Sequence, residues 1–231
     1  MSRDGVEFGG LVPFSTVDFP GRLAAVLFTR GCPLRCRYCH NPHLRRRADT
    51  QALDWASTIA WLGRRKGLLD AVVFSGGEPT IQAGLADALT EVRGLGFATG
   101  LHTAGTVPGR LARVLPLLDW VGLDVKAPFA RYAAVTGSTG AGARAYRSLE
   151  AVLASGIDYE LRTTMHPALL GSEDLIAIAR DLRARGVRDW VLQPFRPAGC
   201  VDEALVARTE PYALDTLLPT LRRLVPGIVV R

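Results

Sequence analysis

Cys32, Cys36 and Cys39 fall within the run Thr29-Arg-Gly-Cys-Pro-Leu-Arg-Cys-Arg-Tyr-Cys-His-Asn-Pro42, just after an apolar stretch that reads as a strand. Thiols at C-x3-C-x2-C spacing can converge on one metal centre. A closed structural zinc site takes four protein ligands, and iron–sulfur clusters are ordinarily held by four cysteines. Here the local supply stops at three. A cubane cluster on three thiolates leaves one iron open to a small molecule, which points to chemistry rather than scaffolding. The blander alternative is a zinc or redox-inert site with His40, His43 or Cys200 as fourth ligand. A disulfide is the weaker reading. The chain opens on Met-Ser-Arg-Asp with no apolar signal segment, and cysteines of a cytosolic protein are more often metal-binding or catalytic than bridged.

Further polar residues cluster at the ends of predicted strands. Ser75-Gly76-Gly77-Glu78-Pro79-Thr80 has paired glycines that let backbone approach a ligand, and Glu78 offers an acceptor for an ammonium group. His102 and Thr103 close the next strand. Asp124 and Lys126 end the one after, and are expected on opposite faces unless the strand end loses its regularity. Arg162 can fork onto a carboxylate. Arg196 follows the last strand and could meet ribose hydroxyls or a carboxylate. Each has a plain alternative as a rim salt bridge. Cys200 reads as a thiol apart from the cysteine loop.

The elements that must position these residues alternate strand and helix. Strands are predicted at Leu23–Thr29, Ala71–Ser75, Phe97–Thr103, Trp120–Lys126, Tyr159–Met165 and Trp190–Phe195. Helices are predicted over Leu53–Arg65, Leu85–Val92, Arg110–Leu118, Arg144–Ala154, Ser172–Arg185 with Ser172 as N-cap, and Tyr212–Leu224. Six such units with buried strands argue for a parallel sheet: an open (β/α)6 barrel, or a doubly wound sheet. Either way the active surface lies at the C-terminal ends of the strands, where these motifs fall.

The cysteine run, with Tyr38 ahead of the last cysteine, resembles the cluster loop of the radical S-adenosylmethionine (radical SAM) superfamily. Gly76-Gly77-Glu78-Pro79 matches that family's G-G-E-P motif, and the two motifs in this order are highly specific. Phe14-Ser-Thr-Val-Asp-Phe-Pro-Gly21, Leu123-Asp-Val-Lys126 and the strand-end Arg162 resemble the glycyl-radical-enzyme activases, so the likeness covers nearly the entire chain. It is nearest to the type serving anaerobic ribonucleoside-triphosphate reductase, and is similar in layout to pyruvate formate-lyase activase. The resemblance implies an open, partial TIM-type (β/α)6 barrel, one domain over 1–231 with its cluster loop at 29–42. It implies a [4Fe-4S] cluster on Cys32, Cys36 and Cys39, which act in catalysis through the cluster. It also implies an S-adenosylmethionine site drawn from Tyr38, His40, Gly76, Gly77, Glu78, Thr80, His102, Thr103, Asp124, Lys126, Arg162 and Arg196. The reaction implied is reductive cleavage of S-adenosylmethionine to a 5′-deoxyadenosyl radical that takes hydrogen from a glycine of a partner glycyl radical enzyme. A flavodoxin or ferredoxin would supply the electron. One departure is plain: His102 and Ala104 stand where the activase pattern has Asp and Asn. Since that Asp helps bind a monovalent cation, the cation site is not carried over.

Composition agrees with a globular chain. Of 231 residues, 48% are hydrophobic, enough for one substantial core. No apolar run is long enough to span a bilayer, and a cytoplasmic location without membrane partners is expected. The formal charge is +6, with clusters at Arg45-Arg46-Arg47 and Arg64-Arg65-Lys66. No aromatic residues interleave with them as a stacking platform would require, so nucleic acid is not an expected partner. Four cysteines leave no room for an auxiliary cluster domain. Two rival functions remain: radical chemistry on a small molecule, as in the 7-carboxy-7-deazaguanine synthases, and a non-catalytic metal-binding module.

Overall fold

The computed structural model describes residues 5–46, 53–208 and 212–231. Arg47 of the first basic cluster and the opening four residues lie outside the described residues. Eight strands follow one another in sequence order in one open sheet: β1 (Phe8–Ser15), β2 (Ala24–Thr29), β3 (Ala71–Gly76), β4 (Ala98–Thr103), β5 (Trp120–Asp124), β6 (Asp158–Met165), β7 (Asp189–Pro194) and β8 (Gly227–Val230). β2 runs antiparallel to β1 and parallel to β3, and β3 is parallel to β4. β7 pairs in parallel with β6 on one side and β8 on the other. The helices are α1 (Trp55–Gly63), α2 (Leu85–Gly94), α3 (Pro108–Val114), α4 (Tyr132–Thr136), α5 (Ala141–Ser155), α6 (Ser172–Arg183), α7 (Glu203–Val206) and α8 (Leu214–Leu224). None of the described helices is long and apolar enough to cross a membrane.

The six predicted strands are β2 to β7. Continuous apolar runs such as Ala24-Ala-Val-Leu-Phe-Thr29 suit strands covered on both faces, and β2 is buried along almost its whole length. The two outer strands were not legible. β1 carries two glycines and a proline, which spoil its pattern; Pro13 is tolerated because β1 is an edge. β8 has only four residues. Ser172 is not the N-cap of α6. Gly171 holds that position, and the Asp174 carboxylate reaches back to accept from the Gly171 N–H at 3.0 Å. Tyr212 precedes α8, and its hydroxyl donates to the Leu170 carbonyl at 2.5 Å.

Contacts gather the chain into two compact units. The first comprises Met1–Pro33, His43–Gly122 and Arg147–Tyr159; the second comprises Leu34–Pro42, Leu123–Tyr146 and Glu160–Arg231. In the first, Phe19, Ala24, Val26, Ala71, Val73 and Trp120 form a core cluster, with the Phe19 and Trp120 rings 5.5 Å apart. In the second, Trp190 is wholly buried and donates from Nε1 to Thr163 Oγ1 at 3.0 Å, while Thr163 Oγ1 donates to the Val125 carbonyl at 2.6 Å. That chain of bonds satisfies polar groups that would otherwise be costly to bury.

Candidate active site

In the first unit the site begins where β2 and β3 end side by side. Their parallel register pairs Thr29 with Gly76. The ladder then continues into both motifs, as the Gly77 N–H donates to Thr29 O at 2.9 Å and the Glu78 N–H to Gly31 O at 2.8 Å. Gly76 has φ of +107°, and an added Cβ would come within 2.5 Å of the Thr29 backbone. At Gly77 a methyl group would overlap the Gly31 carbonyl oxygen. The paired glycines are therefore required by the close approach of the cysteine loop's first limb. Cys32 sits on that limb, its N–H donating to Arg45 O at 3.1 Å.

Glu78 has no exposure to water. Its Oε1 accepts from the Thr80 N–H (3.1 Å), Thr80 Oγ1 (2.6 Å) and Thr103 Oγ1 (2.6 Å), and its Oε2 from the Ala104 N–H (2.8 Å). The structure thus brings Glu78, Thr80 and Thr103 together, but as one saturated network; only Oε2 keeps spare acceptor capacity. His102 is turned elsewhere. Its Nε2 lies 2.8 Å from Asp18 O, its Nδ1 is 3.8 Å from Asp18 Oδ1, and its ring meets Trp120 edge-on. The Phe14–Gly21 segment therefore meets the strand-end set through Asp18.

In the second unit, Asp124, Lys126 and Arg162 form one charged group, with Cys36 and Tyr38 beside it. Lys126 Nζ lies 3.0 Å from Asp124 Oδ2, and the Arg162 guanidinium meets Asp124 Oδ1 through both Nε and Nη2 at 3.1 Å. The expectation that a regular strand would part Asp124 and Lys126 to opposite faces is mistaken, because i and i+2 share a face; β5 itself ends at Asp124, and Lys126, just beyond it, meets that carboxylate. The carboxylate that Arg162 forks onto is Asp124's. Lys126 Nζ also stands 5.6 Å from the Tyr38 ring centroid. Burial opposes the Lys126 ammonium, yet Asp124, Tyr38 and Cys36 hold its pKa well above the usual value. Burial pushes up the Cys36 thiol and the Tyr38 phenol, and Lys126 draws both back. Tyr132 had no sequence signal, yet it is wholly buried here; its hydroxyl donates to Asp124 O at 3.1 Å and accepts from the Lys126 N–H at 2.9 Å.

The segment after β7 meets the second half of the cysteine loop. His40 Nε2 lies 2.9 Å from the Arg196 carbonyl oxygen, and the His40 ring stacks on Phe195 with centroids 5.7 Å apart. Burial lowers the His40 pKa. Arg196 is exposed, and its carbonyl is the group that engages the loop. Cys200, remote in sequence, is close to that loop in space, its thiol donating to Arg37 O at 3.4 Å.

None of the four cysteines is in a disulfide, and all four are partly buried. Among the described residues no group of three or more His, Cys, Asp or Glu side chains is arranged to hold a metal ion. The chemistry of the donors nevertheless fits a [4Fe-4S] cluster: three reduced thiols at C-x3-C-x2-C spacing.

Residues 26–188 match the profile of the Radical SAM superfamily. A protein provisionally named a glycyl-radical enzyme activating enzyme, from Methanocaldococcus jannaschii, is 30% identical over 206 residues, 84% of this chain and 82% of its own. The pyruvate formate-lyase-activating enzyme of Clostridium pasteurianum is 33% identical over 192 residues, 79% of each chain. The structure of Streptococcus suis SuiB bound to S-adenosylmethionine superposes with a TM-score of 0.63 at 15% identity, over 87% of this chain and 48% of SuiB. That likeness speaks for the fold, and this chain spans about half of SuiB's length. The chain belongs to the Radical SAM superfamily and is an enzyme of that class with an open, partial TIM-type α/β fold.

Proposed function

We propose that this enzyme activates a glycyl radical enzyme, and that its partner is an anaerobic ribonucleoside-triphosphate reductase. When bound, a reduced [4Fe-4S] cluster would pass one electron to S-adenosylmethionine, releasing methionine and a 5′-deoxyadenosyl radical that would take a hydrogen atom from a glycine Cα of the partner to give 5′-deoxyadenosine. Cys32, Cys36 and Cys39 hold the cluster. Gly76 and Gly77 bring backbone to the methionine amino group, with Oε2 of Glu78 as the remaining acceptor. Lys126 and Arg162 hold Asp124, the most exposed of the three side chains, so that its carboxylate is fixed before any ligand arrives. Tyr38 and the His40 backbone line the adenine side, and Thr80, Thr103, His102 and Arg196 complete the set through the contacts above. A flavodoxin or ferredoxin in a reducing cytoplasm supplies the electron, and the whole chain works as one radical SAM domain.

The observation that carries this reading is the pair of backbone bonds tying Gly77 and Glu78 to the limb bearing Cys32. It joins the ligand-binding turn of the first unit to the first thiol. The names of the two relatives support the activase function. Electron paramagnetic resonance of anaerobically reconstituted enzyme, mixed with reductant, S-adenosylmethionine and the reductase, tests it. A glycyl doublet with stoichiometric 5′-deoxyadenosine is expected. Deoxyadenosine without a doublet would remove the reductase and point to another substrate. Cys36→Ala should lose both iron and S-adenosylmethionine cleavage, and full activity in that variant would end the cluster assignment.

A further inference from the structure

We infer that the segment from Phe195 to Asp202 is a strap that positions the Arg37–His40 half of the cysteine loop for cluster binding, with Asp202, Gly199 and Phe195 as positioning residues. The inference rests on reading Cys36 and Cys39 as cluster ligands, since Cys36 adjoins the Arg37–His40 backbone that the strap grips and Cys39 lies within it.

The grip is made at several points of unlike chemistry. Asp202 Oδ2 pairs with Arg37 Nε at 2.7 Å, and the same carboxylate caps α7 by accepting the Leu205 N–H on Oδ1 at 3.1 Å. One oxygen therefore holds the loop while the other holds the strap's own helix. The Leu205 carbonyl lies 3.0 Å from Nε2 of His166, a buried residue just after β6. Nδ1 of His166 accepts from the Ala168 N–H at 3.1 Å, so Nε2 carries the proton and donates. The His166 ring meets Phe195 edge-on at 5.0 Å, and Phe195 stacks on His40. The contacts thus close a circuit: cysteine loop, Asp202, α7, His166, Phe195, and back to the loop at His40. Gly199 is the tight point. With φ of +82° it packs onto the His40 carbonyl oxygen, and a methyl group there would overlap that oxygen. An exposed Arg–Asp pair alone is worth little. Closed through a buried histidine and a ring stack, it fixes the frame from which both thiols hang, and contacts of this kind orient metal ligands.

The test uses the full chain with its cluster reconstituted, and follows iron loss to a chelator alongside the melting temperature of the iron-free protein. Asp202→Asn and Gly199→Ala should release iron about tenfold faster or more. Asp202→Glu should recover most of the retention, and the iron-free melting temperatures of the two Asp202 variants should stay near wild type, whereas Gly199→Ala carries backbone strain of its own. Hydrogen exchange at the Arg37–His40 amides should rise in the two loosened variants. Wild-type release rates in both overturn the strap. So does a parallel fall in the iron-free stability of Asp202→Asn, which would make the strap a general support of the fold. Failure of the cluster reading is recognised separately: wild type and Cys36→Ala would then hold the same iron.

Discussion

At the scale of the residue, a carboxylate without water persists only where donors surround it. Glu78 has four, two of them backbone N–H groups that cannot rotate away. Glu78→Gln keeps the shape but offers one acceptor oxygen where two are needed. Its amide nitrogen must then face either the Thr80 or the Ala104 N–H and leave that donor unpaired. A loss of about 1–3 kcal/mol in unfolding free energy is expected, read by chemical denaturation, and a change within error would remove Glu78 from its anchoring role. The two threonine hydroxyls can turn to accept from the amide, so the cost should stay within that range. Sequence shows the Gly-Gly-Glu turn, which with Pro79 is either a plain turn after a strand or the ligand turn proposed above. It does not show that Thr103 and Ala104, 25 and 26 positions on, consume the carboxylate. The parallel ladder brings them there.

At the scale of the element, α1 shows what local chemistry alone can set. Trp55, Ile59 and Leu62 make a legible apolar stripe, and Asp54 caps the helix by accepting the Ser57 N–H at 2.8 Å. Hydrogen bonding to Ser57 holds the Asp54 pKa below the ordinary carboxylate range. A group depressed in the folded state contributes stability above its unfolded pKa, near 4, and that contribution is lost as pH falls through the folded value. Thermal melts on acidification below about pH 4 should therefore show Asp54→Asn losing less than wild type. Equal losses would mean that the cap does not titrate. The cysteine loop lacks such local cues. Its first limb is fixed by β3's turn, and its second by a segment more than 150 residues downstream, as the Arg37–Asp202 bond with its 165-residue separation shows.

At the scale of the whole molecule, the first unit has an apolar cluster of Phe19, Ala24, Val26, Ala71, Val73 and Trp120 that includes none of the three loop thiols. In the second unit Trp190, Leu161, Leu182 and Leu192 are fully buried. Metal-dependent folding belongs to domains too small to bury enough apolar surface without their ion. Removing iron from the reconstituted enzyme should leave the far-UV circular dichroism unchanged while abolishing the cluster's visible absorption. Collapse to a coil spectrum would show that the cluster holds the fold together.

By itself the sequence determined what depends on residue type and short spacing. That covers three thiols at C-x3-C-x2-C spacing, the glycines of the β3 turn, six buried strands in order, and the helices between them. These are legible because periodicity, caps and motif spacing act over a few residues. Tertiary structure alone decided which polar groups are spent on one another. Arg162 closes on Asp124, Glu78 is filled by β4, His102 turns to Asp18, and Cys200 comes up against the cysteine loop. Each is a contact between segments remote in sequence. In a buried site such contacts are set by the need to pair every charge and donor removed from water, which no local pattern records.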